Sequence, residues 1–161
     1  MNSGNQLLSI AAIFLLQLLI MNANKHTIEK MLIKNANTSV IAASSVAQSM
    51  IEEIQNKAFD ENTVSKSVLN DADLTDLSTL GPDTGEFNNT QFDDIDDYDG
   101  YVTEDSLENI GKFQVSVRVN YRINMHTEQL SSKPTFVKVV TVSVDNFSLT
   151  NPIKYYHVIA Y

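Results

Sequence analysis

Residues 7–21 read LLSIAAIFLLQLLIM, and only Ser9 and Gln17 interrupt fifteen otherwise apolar positions. No charged side chain occurs from Met1 to Asn24, and the first basic residue is Lys25. A membrane-crossing helix needs roughly 20 apolar residues for a hydrocarbon core of about 30 Å. The run itself is a little short for that, but the uncharged stretch as a whole is long enough. A cleaved signal peptide would place basic residues before the apolar block and small residues at a cleavage site after it. Here the basic residues follow the block and the helical pattern continues. The core helix of a soluble protein is the third reading. The membrane-competent helix is preferred, with Leu7, Leu8, Ile10, Ile13, Phe14, Leu15, Leu16, Leu18, Leu19 and Ile20 as its apolar surface.

Past Asn24 the pattern changes period without a break. Ile28, Met31, Leu32, Ala36, Val40, Ala43, Ala47, Met50 or Ile51, Ile54 and Ala58 recur every three to four residues, which puts them on one helical face. No proline or glycine stands between Asn5 and Asp60. The expectation is one helix of roughly fifty residues, near 80 Å at about 1.5 Å per residue. Its first part (1–24) is apolar all round and its second (25–59) amphipathic, with local loosening at NANTSV, residues 35–40. A globule of 161 residues is only about 30–35 Å across. Part of such a helix is therefore expected to protrude, covered by lipid or by other protein.

Residues 60–111 form an acidic, glycine- and asparagine-punctuated connection, which Val68, Leu69, Leu74, Leu77 and Leu80 are expected to tack to the body. From Lys112 the period becomes two: Phe113, Val115, Val117, Val119, Tyr121 and Ile123 alternate with polar residues. TFVKVVTVSVD and IKYYHVIAY follow as second and third strands, separated by turn chemistry at SSKP and Asn151-Pro152. The fold class expected is α+β. A long helix packs on an antiparallel sheet of three or more strands (112–161). Ile28, Met31, Leu32, Val40, Ala47, Ile51 and Ile54 are expected to meet Phe113, Val115, Val117 and Val119.

The formal charge of −9 is unevenly spread: residues 60–108 hold fifteen acids and one base (−14), and the rest five acids and ten bases (+5). No aromatic-bearing basic face is visible, so nucleic acid is not an expected partner. With no cysteine, disulfides, thiolate metal sites and thiol nucleophiles are excluded. His26, His126 and His157 are scattered, and no HExxH, GxSxG or phosphate-loop pattern occurs, so no enzyme and no cofactor are expected. Sequons at Asn37, Asn88 and Asn146 mark candidate glycan positions.

Residues 92–101, FDDIDDYDGY, place five aspartates among three aromatics. The run is read as a solvated loop anchored to the body by Phe92, Tyr98 and Tyr101. Two alternatives are a contact with a basic neighbour and a calcium site using Asp94, Asp96, Asp97 and Asp99. EF-hand spacing fails, because Ile95 stands where the first aspartate belongs and Ser106 where the glutamate belongs.

The order of parts resembles the type IV pilin and type II secretion pseudopilin superfamily, and FDDIDDYDGY followed by FQVSVRVNY and KVVTVSVDN is similar to a run found ahead of two strands in many prepilin-type proteins. Counted from Met1, Asn5 stands where the family has a glutamate. Phe14 and Asn22 stand where it has helix-breaking residues, so the apolar half is expected to stay helical. Met1 as a mature terminus, Ser3-Gly4 as a degenerate leader remnant, and a divergent relative of the family are all compatible with the pattern. The resemblance implies a structural subunit of an extracellular pilus-like filament on the cell surface. Its partners would be copies of itself, the cytoplasmic membrane before assembly, and an assembly machinery. Lys25, Lys30 and Lys34 would then face the acidic region of a neighbouring subunit. A minor pseudopilin of a secretion apparatus is the close variant. A single-pass membrane-anchored surface binding protein that never polymerises, calcium-dependent or not, is the alternative from another class.

Overall fold

The computed structural model describes residues 3–108 and 110–161. Met1, weighed above as a mature terminus, lies outside the described residues. The elements run α1 (Ser3–Ile54), α2 (Glu61–Val64), β1 (Val102–Leu107), β2 (Gly111–Tyr121), β3 (Val137–Asp145) and β4 (Ile153–Ala160). Two units divide the chain, Met1–Thr38 and Ser39–Tyr161.

Helix α1 is continuous, including residues 14–24 and the NANTSV stretch. The loosening expected at 35–40 is not observed. Hydroxyls that compete with a helix when left free instead bond back into it. Thr38 Oγ1 donates to the Lys34 carbonyl at 3.0 Å, and Ser44 and Ser45 do the same one turn back.

Within the second unit, α1 buries Ser39, Ala42, Ala43, Val46, Ala47, Met50 and Ile54. Steps of three and four residues keep these on one stripe. All but Ser39 share one core with Phe113, Val115, Val117, Val119 and Tyr121 of β2 and Val140, Val142 and Val144 of β3. Each aliphatic side chain fully buried there contributes roughly 1.5–3 kcal/mol. Of the helix residues expected to pack on the sheet, Ala47, Ile51 and Ile54 join this core. Ile28, Met31, Leu32 and Val40 do not, being 58, 61, 64 and 40% exposed. The first three precede the stripe, which begins at Ser39. Val40 sits one residue, about 100°, round from Ser39 and so faces outward.

The sheet is an antiparallel meander in the order β1-β2-β3-β4. Val117 pairs with Val142 between β2 and β3, and Val142 with Tyr155 between β3 and β4. The three expected strands are present. A fourth, β1, lies inside the acidic connection, pairing Val102 with Ser116 through Leu107 with Gly111. Its sequence VTEDSL is polar and largely exposed because it is an edge strand with little to bury. Ile123 lies beyond the end of β2 and is exposed. In the acidic connection Val68 and Leu74 are buried and Leu77 and Leu80 pack on the core, but Leu69 is 94% exposed.

Candidate functional site

Two features stand out, one in each unit. In the first unit, Leu7, Leu8, Ile10, Ile13, Phe14, Leu15, Leu16, Leu18, Leu19 and Ile20 are each 48 to 70% exposed. Consecutive positions on a helix are turned by about 100°, so these ten leave no polar side to the surface. The helix is long and apolar enough to cross a membrane. Just beyond, Lys25, Lys30 and Lys34 are exposed, and Glu29 lies 4.0 Å from Lys25 and 3.7 Å from His26.

In the second unit the acidic run is not a solvated loop. Asp94 is 0% exposed, Asp96 2% and Asp97 3%, which overturns the expectation. The anchoring by aromatics does hold: Phe92, Tyr98 and Tyr101 meet edge to face at 5.0, 5.4 and 5.9 Å. Tyr98 also donates to Glu53 Oε1 of α1 at 2.8 Å. Reciprocal caps fold the run on itself. Asp94 Oδ1 accepts from the backbone N–H groups of Asp96 and Asp97 at 2.6 and 3.2 Å. Asp97 Oδ2 accepts from those of Asp93 and Asp94 at 3.0 and 3.2 Å. The burial thus follows from local turn chemistry plus an aromatic lock.

Burying carboxylates is costly unless a cation meets them. Lys138 of β3 is that cation, with a fully buried side chain. Its Nζ donates to the Phe59 carbonyl at 2.6 Å and to Asp60 Oδ2 at 3.0 Å. Asp96 Oδ1 lies 2.7 Å away as an ion pair, though outside hydrogen-bond directions. The rings of Phe59 and Tyr121 flank the ammonium at 4.4 and 4.9 Å. Asp60 is the better-served partner. It caps α2 through the N–H of Asn62 and accepts from Thr75 N, Thr75 Oγ1 and the Tyr121 hydroxyl.

The titration of the three carboxyls follows from this inequality. Burial alone would raise Asp60, but Lys138 and the donors from Tyr121 and Thr75 outweigh it and hold it below the usual range. Burial pushes Asp96 up to about 7, against the pull of Lys138 and with the repulsion of Asp60. Asp94 is pushed by burial, then by Asp96 and Asp97, up to about 8. Tyr121 and Tyr98 are raised by burial and by the carboxylates beside them. One ammonium thus serves more than one buried acid, and Asp94, which has no cation of its own, is the acid that keeps its proton to the highest pH.

The calcium set read from sequence is not one site. Asp96 is taken by Lys138, while Asp99 Oδ1 accepts from Val119 N at 2.9 Å and its Oδ2 lies 3.7 Å from Arg118. Carboxylates do converge elsewhere: Glu61, Asp93 and Asp94 form one group within 4.8 Å, and Glu86, Asp93 and Asp97 another. Glu61 and Glu86 were not foreseen; Glu61 is far from the run in sequence and Glu86 stands just outside it. Lys138 was missed too, although a signal was present. It falls in the same period-two phase as Val140, Val142 and Val144, which is the inward face of β3.

His26, His126 and His157 lie on α1, in the β2–β3 connection and on β4, and the structure does not bring them together. Of the sequons, Asn37 and Asn88 are exposed. Asn146 is buried, its amide donating to the Lys112 carbonyl at 2.7 Å and accepting from Ser148 N, so its nitrogen is not free for a glycan. The chain matches no family model, no curated protein and no solved structure.

Proposed function

We propose that the chain is a structural subunit of an extracellular pilus-like filament, polymerising through its apolar N-terminal helix. The observation that carries this reading is the helix surface from Leu7 to Ile20, apolar on every side and uncovered within its own unit. A surface of that kind is stable only in lipid or against other apolar helices. Supporting it are the order of parts, α1 followed by an antiparallel meander, and the FDDIDDYDGY run ahead of two strands. Both are similar to type IV pilins and pseudopilins.

Before assembly the helix sits in the cytoplasmic membrane with the body outside. Assembly then exchanges lipid for the helices of other copies, so the apolar surface never meets water. Lys25, Lys30 and Lys34 face the −14 region of a neighbouring subunit in a contact that repeats head to tail without closing. Electron microscopy of shed cell-surface material tests the reading. Thin uniform fibres that disappear when the gene is deleted are the expected result. A protein recovered only as detergent-solubilised monomers, with no fibres, would overturn it in favour of a single-pass anchored surface protein.

A further inference from the structure

We propose that the body binds a divalent cation of calcium-like chemistry through Glu61, Asp93 and Asp94, with Glu86 and Asp97 extending the site through their shared neighbour Asp93. The two carboxylate groups, each within 4.8 Å, have Asp93 in common and together draw on three separate stretches of chain. Glu61 opens α2, Glu86 comes from the turn-rich connection, and residues 93–97 form the buried run. A cluster of acids alone would be unremarkable on so acidic a chain. What singles this one out is Asp94. Its side chain is fully buried, Oδ1 is committed to two backbone N–H groups, and Oδ2 has no hydrogen-bond partner among the described residues.

The nearby ammonium groups are already spent. Lys138 donates to the Phe59 carbonyl and Asp60 and pairs by charge with Asp96, and Lys57 donates to the Phe92 carbonyl. A buried carboxylate oxygen that nothing meets is destabilising. A proton meets that need at the expense of one donor; a cation meets it together with the repulsion around it. That repulsion is present: carboxylate oxygens of Glu61, Asp93 and Asp94 converge within 4.8 Å of one another. The donor set is oxygen only, with no histidine or thiolate, which suits a hard cation. Carboxylates arriving from three irregular segments suit the adaptable shell of calcium better than the strict octahedron of magnesium. A cation there would tie α2, the connection and the buried run together, ordering the acidic region without any disulfide.

The test uses the full chain in detergent, stripped with chelator and dialysed. Calcium chloride alone is titrated by calorimetry and in thermal melts. The expected result is saturable binding and a rise in melting temperature, with magnesium clearly weaker. E61Q/D93N should keep its far-UV circular dichroism and lose the binding. If that pair fails to fold, the single changes E61Q and E86Q carry the same readout. Absence of saturable binding at millimolar calcium would overturn the site. So would calcium binding left intact by E61Q and E86Q, or a melting shift that sodium chloride reproduces at matched ionic strength. None of these outcomes depends on whether the chain forms fibres.

Discussion

Lys138 Nζ and Asp96 Oδ1 lie 2.7 Å apart with side chains 0 and 3% exposed, joining β3 to the acidic run across the interior of the body. Buried ion pairs of this kind add little net stability over an apolar replacement, but removing one partner is expensive. Lys138→Met is therefore expected to destabilise the body by about 3–5 kcal/mol at neutral pH, because Asp60 and Asp96 are left without a cation. Urea denaturation followed by tyrosine fluorescence measures it. A change below about 1 kcal/mol would mean that the carboxyls are already neutral without the lysine.

Acid should strengthen this protein before it weakens it. Asp94 and Asp96 titrate near 8 and 7 in the folded body and near 3.8 in the unfolded chain. Between those values the folded state holds more protons, so stability falls as pH rises. Their contribution is complete below about pH 4 and is lost as pH climbs through 7 and 8. Asp60, held low, acts in the opposite sense, and its contribution disappears as pH falls below 3.8. Melting temperature in chelator is expected to peak at about pH 4–6 and to decline on both sides. Asp94→Asn should flatten the alkaline decline; a profile that rises from pH 5 to 8 would contradict the assignment.

Two isoleucines on one helix should behave oppositely. Ile54 is 1% exposed and Ile28 58% exposed. Ile54→Ala is expected to cost about 2–5 kcal/mol of body stability by leaving a cavity. Ile28→Ala should stay within about 0.5 kcal/mol in the same denaturation assay. Equal losses would place Ile28 in the body's core after all.

Leu16→Arg tests the apolar helix. A charge at the centre of a membrane helix costs about 2.5–3.5 kcal/mol. Within a bundle of helices it also lacks a partner. Fibres are expected to vanish from sheared surface material while the body's circular dichroism is unchanged. Normal fibres from this variant would remove the helix from the assembly contact.

Lys30→Glu tests the proposed charge contact between subunits. Exposed charges are screened within about 8–10 Å at physiological salt, so fibre stability should fall as salt rises. The variant should disassemble at lower salt than the parent, read by sedimentation. Fibres indifferent to both salt and Lys30→Glu would mean that the lysines do not face the acidic region.

How much of this was readable beforehand varies by element. Helix α1 and strands β2, β3 and β4 could be read because burial there follows a strict period, three to four residues on the helix and two on the strands. β1 could not, since an edge strand that buries little leaves no alternation in VTEDSL. The start of the helix's packing face was misplaced, because Ile28, Met31 and Leu32 continue the same spacing as Ala43 and Ala47. Spacing tells which residues share a face, not where along the helix the sheet begins. The acidic run misled for a different reason. Aspartate usually means solvent, but Asp94 and Asp97 satisfy backbone N–H groups locally, and the charge that compensates the run enters from Lys138, some forty residues later. Only tertiary structure unites them.

The route by which the body acquires its structure follows from the spacing of the salt-bridged residues. Strands β1 and β2 are joined by three residues and β3 and β4 by seven, so these pairs can zip together early, whereas Lys138 must find Asp60 across 78 positions. Closure of that interior contact is expected late in folding and, by reversal, early in opening. Amide protons of residues 93–99 should then exchange with solvent sooner than those of β2 and β3, marking the acidic run as the segment that loosens first under mechanical load.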